Sequence, residues 1–144
     1  MDRTVILLVD DEMPFVETMT KRLTKRGFEI LKAFNGPQGL ELLAGEASVD
    51  VVILDVKMPE MDGISTLREI KHAHPLVEVI MLTGHATVET AIEGMRLGAF
   101  DYLMKPCVIE DLIAKVREAK NKKFQHEQKI LEARAKAIVL RRGD

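Results

Sequence analysis

The sequence predicts an α/β protein in which a parallel sheet is covered by helices on both faces. Short apolar runs, such as Ile6-Leu7-Leu8-Val9 and Val51-Val52-Ile53-Leu54, are typical of strands that are buried on both sides. Segments with the apolar spacing of a helix separate these runs. Strands that alternate with helices favour a parallel sheet with right-handed crossovers. The 144 residues, of which 47% are hydrophobic, suffice for one domain with a full core.

The first elements are predicted from periodicity and from glycine. A strand is predicted at residues 4–9 and a helix at 13–26, where apolar residues recur at every fourth position. Gly27 has the place of the glycine that commonly ends a helix. Residues 28–34 alternate apolar and polar side chains more weakly, which favours a strand near an edge of the sheet.

The rest of the chain continues the alternation. The further predicted elements are a short helix at 36–43, a strand at 50–54, a helix at 64–72, a strand at 77–82, a helix at 87–97, a strand at 100–103 and a long helix that begins near 108–111. Glycines and prolines between these segments mark the breaks. The flavodoxin-like (βα)5 doubly wound arrangement, with strand order 2-1-3-4-5, would place strands one and three side by side and a binding crevice between them.

Three carboxylates follow the two strands that flank this crevice. Asp10 and Asp11 come directly after the first strand, and Asp55 comes directly after the third. Ligands of open α/β sheets bind beyond the carboxyl ends of the strands, so the three acids are expected to meet. Their mutual repulsion favours a bound cation, and Mg²⁺ prefers oxygen ligands of this kind. The alternative is that each acid only caps a turn or a helix.

The fourth and fifth predicted strands end next to Thr83 and Lys105. Together with the acids, these groups fit phosphoryl transfer: Asp55 can act as the oxygen nucleophile, and Mg²⁺ can neutralise charge. Lys105 offers a cation and Thr83 a hydroxyl to the phosphoryl oxygens. The alternatives are that Thr83 only caps the following helix and that Lys105 is an ordinary surface lysine.

Four motifs in order resemble the receiver domain of bacterial two-component response regulators. They are Val9-Asp10-Asp11-Glu12, Leu54-Asp55-Val56-Lys57-Met58-Pro59-Glu60-Met61-Asp62-Gly63, Leu82-Thr83-Gly84-His85 and Asp101-Tyr102-Leu103-Met104-Lys105-Pro106. The resemblance covers residues 4–119, and residues 84–106 are most similar to receivers of nitrogen-regulatory-type transcriptional activators. It implies a receiver domain at residues 1–119 and a helical C-terminal extension at 120–144, either a linker or a dimerisation helix.

The resemblance implies a phosphorylation-dependent switch. Asp55 would accept a phosphoryl group from a histidine kinase or a phosphotransfer protein. Asp11, Asp55 and the backbone carbonyl of Lys57 would bind Mg²⁺ directly, and Asp10 would act mainly through bound water. No enzymatic activity is expected beyond self-catalysed phosphoryl transfer and autodephosphorylation. The partner-binding surface of the fourth helix, fifth strand and fifth helix would change in response.

Further roles follow from the same resemblance. Lys105 would pair with the phosphoryl group and, in the unmodified state, with Asp55. Thr83 would move towards the phosphoryl group, and Tyr102 would turn inward after it. Pro106 would follow a cis peptide bond. The alternative for Tyr102 is a static, half-buried aromatic residue.

Two other functions compete with the switch. One is a Mg²⁺-dependent phosphatase with an aspartyl-phosphate intermediate, but such enzymes commonly have a second Asp two residues after the nucleophile, where this chain has Lys57. The other is an interaction module that works without phosphorylation.

Lys57 and His85 are expected to tune the lifetime of the acyl phosphate. Neither GxGxxG nor GxxxxGK[ST] occurs in the sequence, so nothing in it supports dinucleotide or P-loop nucleotide binding.

The C-terminal segment differs from the rest in charge. Residues 119–144 contain eight Lys or Arg and three Asp or Glu, whereas the whole chain has a net charge of −2. Phe124, Leu131 and Ile138 recur at seven-residue intervals, but Gln128 and Ala135 make a poor coiled-coil seam. A dimerisation helix, a linker to an output domain and a solvated helix remain open. A homodimer is one possible assembly, through this helix or through the surface of the fourth helix, fifth strand and fifth helix, and the sequence leaves the oligomeric state open.

Composition also bears on location and partners. Cys107 is the only cysteine, so no intramolecular disulfide can form. The longest apolar runs are far too short for a membrane span, and the first residues lack the apolar core of a signal peptide. We therefore expect a cytoplasmic protein without membrane contact. Direct DNA binding by this chain is not expected, because no groove-reading motif is present.

Overall fold

The computed structural model describes residues 3–45 and 48–142. In chain order, the elements are β1 (Val5–Val9), α1 (Met13–Lys25), β2 (Glu29–Ala33), α2 (Gly36–Gly45), β3 (Val51–Leu54), α3 (Gly63–Ala73), β4 (Glu78–Thr83), α4 (Val88–Arg96), β5 (Asp101–Met104) and α5 (Ile109–Arg142). The strands form one parallel sheet in the order β2-β1-β3-β4-β5. The predicted fold class and strand order are therefore confirmed, and β2 lies at an edge as expected.

One boundary difference affects the site. The sequence predicts that the fourth strand ends before Thr83, whereas β4 includes it. Thr83 pairs with Met104 of β5, and its carbonyl oxygen accepts a hydrogen bond from the Lys105 N–H at 2.9 Å. This pairing extends the strand by one residue and fixes Thr83 inside the sheet.

Alternate side chains of the central strands fill two cores, one on each face of the sheet. Leu7 of β1 belongs to the core that includes Leu67 of α3. Leu8 belongs to the opposite core, which includes Leu112 of α5. Because successive residues of a strand point to opposite faces, unbroken apolar runs were required in β1, β3 and β4. The two layers of helices leave the carboxyl edge of the sheet open for a site.

The buried part of α5 ends at Ala119, beyond which Lys122 and Lys123 still pair with acids of the body. Ala119 is fully buried, and no residue from 120 to 141 is buried. The extension is helical and continuous with α5, and it exposes Phe124, Leu131 and Ile138. Its role as linker or dimerisation helix stays a prediction, as does the boundary at residue 119. Residues 1, 2, 143 and 144, which the predicted domains include, lie outside the described residues. Among those described, no helix is both long and apolar enough to cross a membrane.

Ion pairs at the amino end of the sheet hold α5 where it passes this edge. Glu78 of β4 is 1% exposed, and its two carboxylate oxygens lie 3.9 Å from Lys71 Nζ and 3.8 Å from Lys122 Nζ. Lys123 Nζ lies 3.4 Å from Asp50 Oδ1. These pairs join β3 and β4 to α3 and α5, and they compensate a carboxylate that would otherwise be costly to bury.

Lys71 is expected to be the most important cation of this group for stability. Its ammonium also donates hydrogen bonds to the carbonyl oxygens of Pro75 and Val77, at 2.9 and 3.0 Å. Lys71→Met leaves the two carbonyl oxygens without their donor and removes a cation 3.9 Å from the buried Glu78 carboxylate, so we expect the free energy of unfolding to fall by about 2 kcal/mol. Urea denaturation at pH 7 measures the change.

Arg68→Met on the same helix provides the control. Arg68 pairs with Glu93 at 3.6 Å, and both side chains are exposed, so this variant should lose at most about 0.5 kcal/mol. Equal losses for the two variants would contradict the importance of the buried pair.

Candidate functional site

Three carboxylates meet at the carboxyl edge of β1 and β3. The two strands are adjacent, with Val9 opposite Leu54, and the Asp55 N–H donates to the Val9 carbonyl at 3.0 Å. Asp10 and Asp55 are 1% and 2% exposed, whereas Asp11 is exposed. Each of the three offers one carboxylate oxygen, and these oxygens lie within 4.8 Å of one another. The structure thus brings together the three acids that the sequence predicts.

Backbone amides orient the two buried carboxylates. Asp10 Oδ1 accepts a hydrogen bond from the Glu12 N–H at 2.9 Å, and Asp55 Oδ1 accepts one from the Val56 N–H at 2.8 Å. In both residues it is the second oxygen, Oδ2, that faces Lys105. Each carboxylate is therefore held by one oxygen and presents the other to the cluster.

Lys105 lies between the acids rather than on the open surface. Its Nζ is 2.7 Å from Asp10 Oδ2, 2.7 Å from Glu12 Oε1 and 3.9 Å from Asp55 Oδ2. The ammonium also lies over the Phe15 ring, 4.1 Å from its centroid, a favourable cation–π geometry. The predicted pair with Asp55 is present, but the contacts with Asp10 and Glu12 are closer. The peptide bond between Lys105 and Pro106 is cis, as the resemblance implied.

The pKa values follow from burial and from this shared cation. Burial raises the pKa of Asp10, with a further rise from the charge of Asp55, although Lys105 and the Glu12 N–H offset part of the shift. The hydrogen bond from Lys105 lowers the pKa of Glu12. Burial alone would lower the pKa of Lys105, but its bonds to Asp10 and Glu12 and the charge of Asp55 raise it overall. Lys105 therefore stays cationic at neutral pH.

The donor set fits a magnesium ion. One ammonium cannot neutralise Asp10, Asp11 and Asp55 together with Glu12, so negative charge remains at the edge of the sheet. Three closely spaced carboxylate oxygens, one of them on an exposed residue, suit a hard cation that keeps several waters. Lys57 lines the same pocket as Asp11 and Asp55. The role of its carbonyl as a ligand stays a prediction.

The loop after β3 folds back onto Asp55, and Gly63 makes this possible. A Cβ at position 63 would collide with the carbonyl oxygen of Asp55, and the Gly63 N–H donates to the Val56 carbonyl at 2.6 Å. Asp62 caps α3 by accepting a hydrogen bond from the Ser65 N–H at 2.8 Å. The close approach of the backbone fixes the position of Asp55, and only glycine permits it.

Thr83 and Tyr102 lie on the next two strands. Thr83 is fully buried, and its hydroxyl accepts a hydrogen bond from the His85 N–H at 3.0 Å. α4 is capped by Thr87, so the alternative that Thr83 caps this helix is wrong. The Tyr102 hydroxyl lies 2.8 Å from Thr90 Oγ1. Movement of Thr83 and Tyr102 stays a prediction.

Comparison with known proteins identifies the family. Residues 6–117 match the family model described as the response regulator receiver domain. The chain belongs to this family. This result confirms the resemblance that the four motifs indicated, and it fits the fold and the acidic edge of the sheet.

Individual relatives agree with this assignment. The receiver is 40% identical over 118 residues to the transcriptional regulatory protein ZraR of Escherichia coli strain K12, covering 82% of this chain and 26% of ZraR. It is 36% identical over 119 residues to the DNA-binding transcriptional regulator NtrC of the same strain, covering 83% and 25%. The chain thus spans about a quarter of the length of these curated relatives.

A solved structure supports the fold directly. A receiver domain protein from Clostridium thermocellum is 40% identical, with a TM-score of 0.81, and the match covers 85% of this chain and 98% of that one. The likeness extends over almost the whole of a solved receiver domain.

Two contacts of Lys105 were not predicted. The motif that contains Glu12 predicts no role for it, and Phe15 is one of the apolar residues whose spacing predicts only the helix α1. The position of Glu12 directly after Asp10 and Asp11 is the sequence signal that could have placed it near the site. Cys107 is half-buried, and burial raises the pKa of its thiol.

The pair of Glu12 and Lys105 predicts a pH-dependent contribution to stability. Because the pKa of folded Glu12 lies below its ordinary value of 4.5, the pair stabilises the fold above pH 4.5, and the contribution is lost as the pH falls through the lower folded-state pKa. We expect Glu12→Gln to lower the free energy of unfolding by about 0.5 kcal/mol at pH 7, since solvent screens an exposed pair.

Urea denaturation of both proteins in the presence of a chelator measures this effect. The chelator removes metal ions that would compete with Lys105 for the carboxylates. The pKa of Asp10 is raised, so its titration changes stability with pH in the opposite sense. Because Asp10 is present in both proteins, this contribution cancels in the difference between them. The difference between the two proteins should shrink as the pH falls below 4.5. A difference that persists in acid would show that Glu12 acts through packing and not through its charge.

Proposed function

We propose that this receiver is a phosphorylation-dependent switch in a two-component phosphorelay. Asp55 accepts a phosphoryl group from a histidine kinase or a phosphotransfer protein, and the surface formed by α4, β5 and α5 changes in response. The observation that carries the proposal is the pairing of a buried Asp55 with a shared cation, Lys105 Nζ, 3.9 Å away. Membership of the receiver family supports it independently.

The residues of the site have distinct tasks in the proposed transfer. Asp55 Oδ2 attacks the phosphorus of a phosphohistidine, the O–P bond forms, the P–N bond breaks, and the imidazole leaves with the bonding pair and is protonated. Lys105 pairs with a phosphoryl oxygen. Thr83 accepts a hydrogen bond from the His85 N–H, so its own proton can be donated to another phosphoryl oxygen.

Mg²⁺ would be held by Asp11 and Asp55, with Asp10 acting through water and Lys57 through its carbonyl. When bound, the ion supplies charge neutralisation and binds a phosphoryl oxygen. Glu12 is well exposed, with 59% of its side chain accessible, so it can release Lys105 into the site at little cost because water replaces the lost contact. The same ammonium then serves the phosphoryl group.

We also propose that the chain catalyses only its own phosphorylation and dephosphorylation. A phosphatase acting on external esters would need an acid where Lys57 stands, and an interaction module without phosphorylation would not need the complete set of Asp10, Asp11, Asp55, Thr83 and Lys105. The proposed location is the cytoplasm. The named relatives are transcriptional regulators, but direct DNA binding is not proposed for this chain.

A homodimer stays a prediction with two candidate surfaces. The first is the face of α4, β5 and α5, where Ile92, Met95 and Met104 are exposed. The second is the extension of α5, where Phe124 and Leu131 are exposed. Exposed apolar side chains on either surface would gain from burial against a second copy.

The first test of the function is the intact mass of the protein. After incubation with Mg²⁺ and a small phosphodonor, wild type should gain one phosphoryl group, because Asp55 Oδ2 is available as the nucleophile. Asp55→Asn should gain none, since an amide cannot form the acyl phosphate. Wild type in a chelator is the control for Mg²⁺. Equal labelling of both proteins would place the phosphoryl group elsewhere.

The lifetime of the acyl phosphate should depend on His85 and Lys57, which line the same pocket as Asp55. Removing either side chain opens this pocket to water. We therefore expect His85→Ala and Lys57→Ala each to shorten the half-life roughly threefold, or about 0.6 kcal/mol in the barrier. Loss of the phosphoryl mass with time measures the effect.

His72→Ala and Lys129→Ala are matched controls on exposed positions of α3 and α5. Both variants should decay at the wild-type rate, because neither side chain lines the pocket around Asp55. Unchanged decay in the His85 and Lys57 variants would refute their role in the lifetime.

A further inference from the structure

α4 begins with a reciprocal pair of threonines. The Thr90 N–H donates to Thr87 Oγ1 at 3.1 Å, and the Thr87 N–H donates to Thr90 Oγ1 at 3.1 Å. This capping box satisfies amides that the first turn of a helix otherwise leaves without partners. The Thr90 side chain is therefore part of the start of α4.

The Thr90 hydroxyl has a second neighbour on β5. The Tyr102 hydroxyl lies 2.8 Å away. A threonine hydroxyl has one proton and two lone pairs. Thr90 can donate to the Thr87 carbonyl at 3.1 Å, while one lone pair accepts the Thr87 N–H. The Thr87 hydroxyl also lies 3.0 Å from Thr90 Oγ1, and either hydroxyl of the Thr90–Tyr102 pair can be the donor.

Gly94 completes the surface on which Tyr102 lies. It follows Thr90 by one turn, so both residues are on the same face of α4. A Cβ at position 94 would lie 3.4 and 3.7 Å from two carbons of the Tyr102 ring. The ring thus packs directly over the glycine, while its hydroxyl bonds to Thr90. We call this surface of Thr90 and Gly94 the tyrosine seat.

A short segment of the chain joins the tyrosine seat to Thr83, whose carbonyl oxygen accepts the Lys105 N–H. Thr83 ends β4, and its hydroxyl accepts the His85 N–H. Only three residues separate Thr83 from Thr87, which caps α4 and bonds to Thr90. Displacement of Thr83 would therefore move the cap of α4, and with it the partner of Tyr102.

We propose that Thr90 is a positioning residue of the switch, which holds Tyr102 on α4 and couples its position to the first turn of that helix. The proposal rests on the proposed phosphorylation of Asp55 for its biological use, but the coupling itself exists in the unphosphorylated protein. Coupling of this kind is reciprocal: loss of the threonine hydroxyl frees Tyr102, and loss of the tyrosine hydroxyl loosens the cap.

The sequence supplies a reporter for the first half of this coupling. Tyr102 is the only tyrosine, and the chain has no tryptophan, so intrinsic fluorescence reports this residue alone. In a chelator and without phosphodonor, we expect Thr90→Val to raise the fraction of Tyr102 away from the seat about fivefold, the factor that one neutral hydrogen bond gives. Quenching by acrylamide should rise accordingly.

Thr90→Ser is the matched variant, because it restores the hydroxyl and should return quenching to the wild-type value. Circular dichroism shows whether all three proteins have the same helix content. Equal quenching in wild type and Thr90→Val would overturn the proposal, since packing on Gly94 alone would then hold the ring. So would a Thr90→Ser variant that quenches like Thr90→Val.

Tyr102→Phe tests the second half without touching the cap. We expect exchange of the Thr87 and Thr90 amides to rise about two- to fivefold, measured by NMR, while amides of α1 stay unchanged. Unchanged exchange at α4 would overturn the coupling. None of these measurements uses phosphate, so labelling of Asp55 in wild type judges the proposed function separately.

Discussion

Two carboxylates buried side by side form the constraint on which the rest of the site depends. Asp10 and Asp55 follow adjacent strands and are almost fully buried, so neither can be solvated as an exposed acid would be. Lys105 reaches both from the end of β5. The strand order thus places two buried negative charges side by side, and Lys105 at the end of β5 supplies the positive charge that compensates part of them.

This shared cation also explains how a charge change at one residue is transmitted. Lys105 contacts two buried acids and the exposed Glu12, and it responds to the sum of their charges. In the proposed switch, added negative charge at Asp55 would draw the ammonium away from Glu12, whose carboxylate water would then solvate. Phosphorylation of Asp55 would in this way give Lys105 a new position among β1, β3 and α1.

The sequence predicted the fold because fold class depends on periodic features that lie close together along the chain. Asp10 and Asp55 were predicted to meet because parallel strands end at the same edge. Side-chain partners across the fold carry no such signal. Glu12 and Lys105 are 93 residues apart, and Thr90 and Tyr102 lie on different elements. The inclusion of Thr83 in β4 depended on pairing with Met104, which no local pattern specifies.

α5 connects the two ends of the sheet. It begins at Ile109, shortly after the cis bond at Pro106, and Lys122 and Lys123 bind acids at the opposite edge. Its 34 residues correspond to a rod of about 50 Å at 1.5 Å per residue. The exposed extension continues this rod without a break, and Lys122 and Lys123 hold its first turn against the domain.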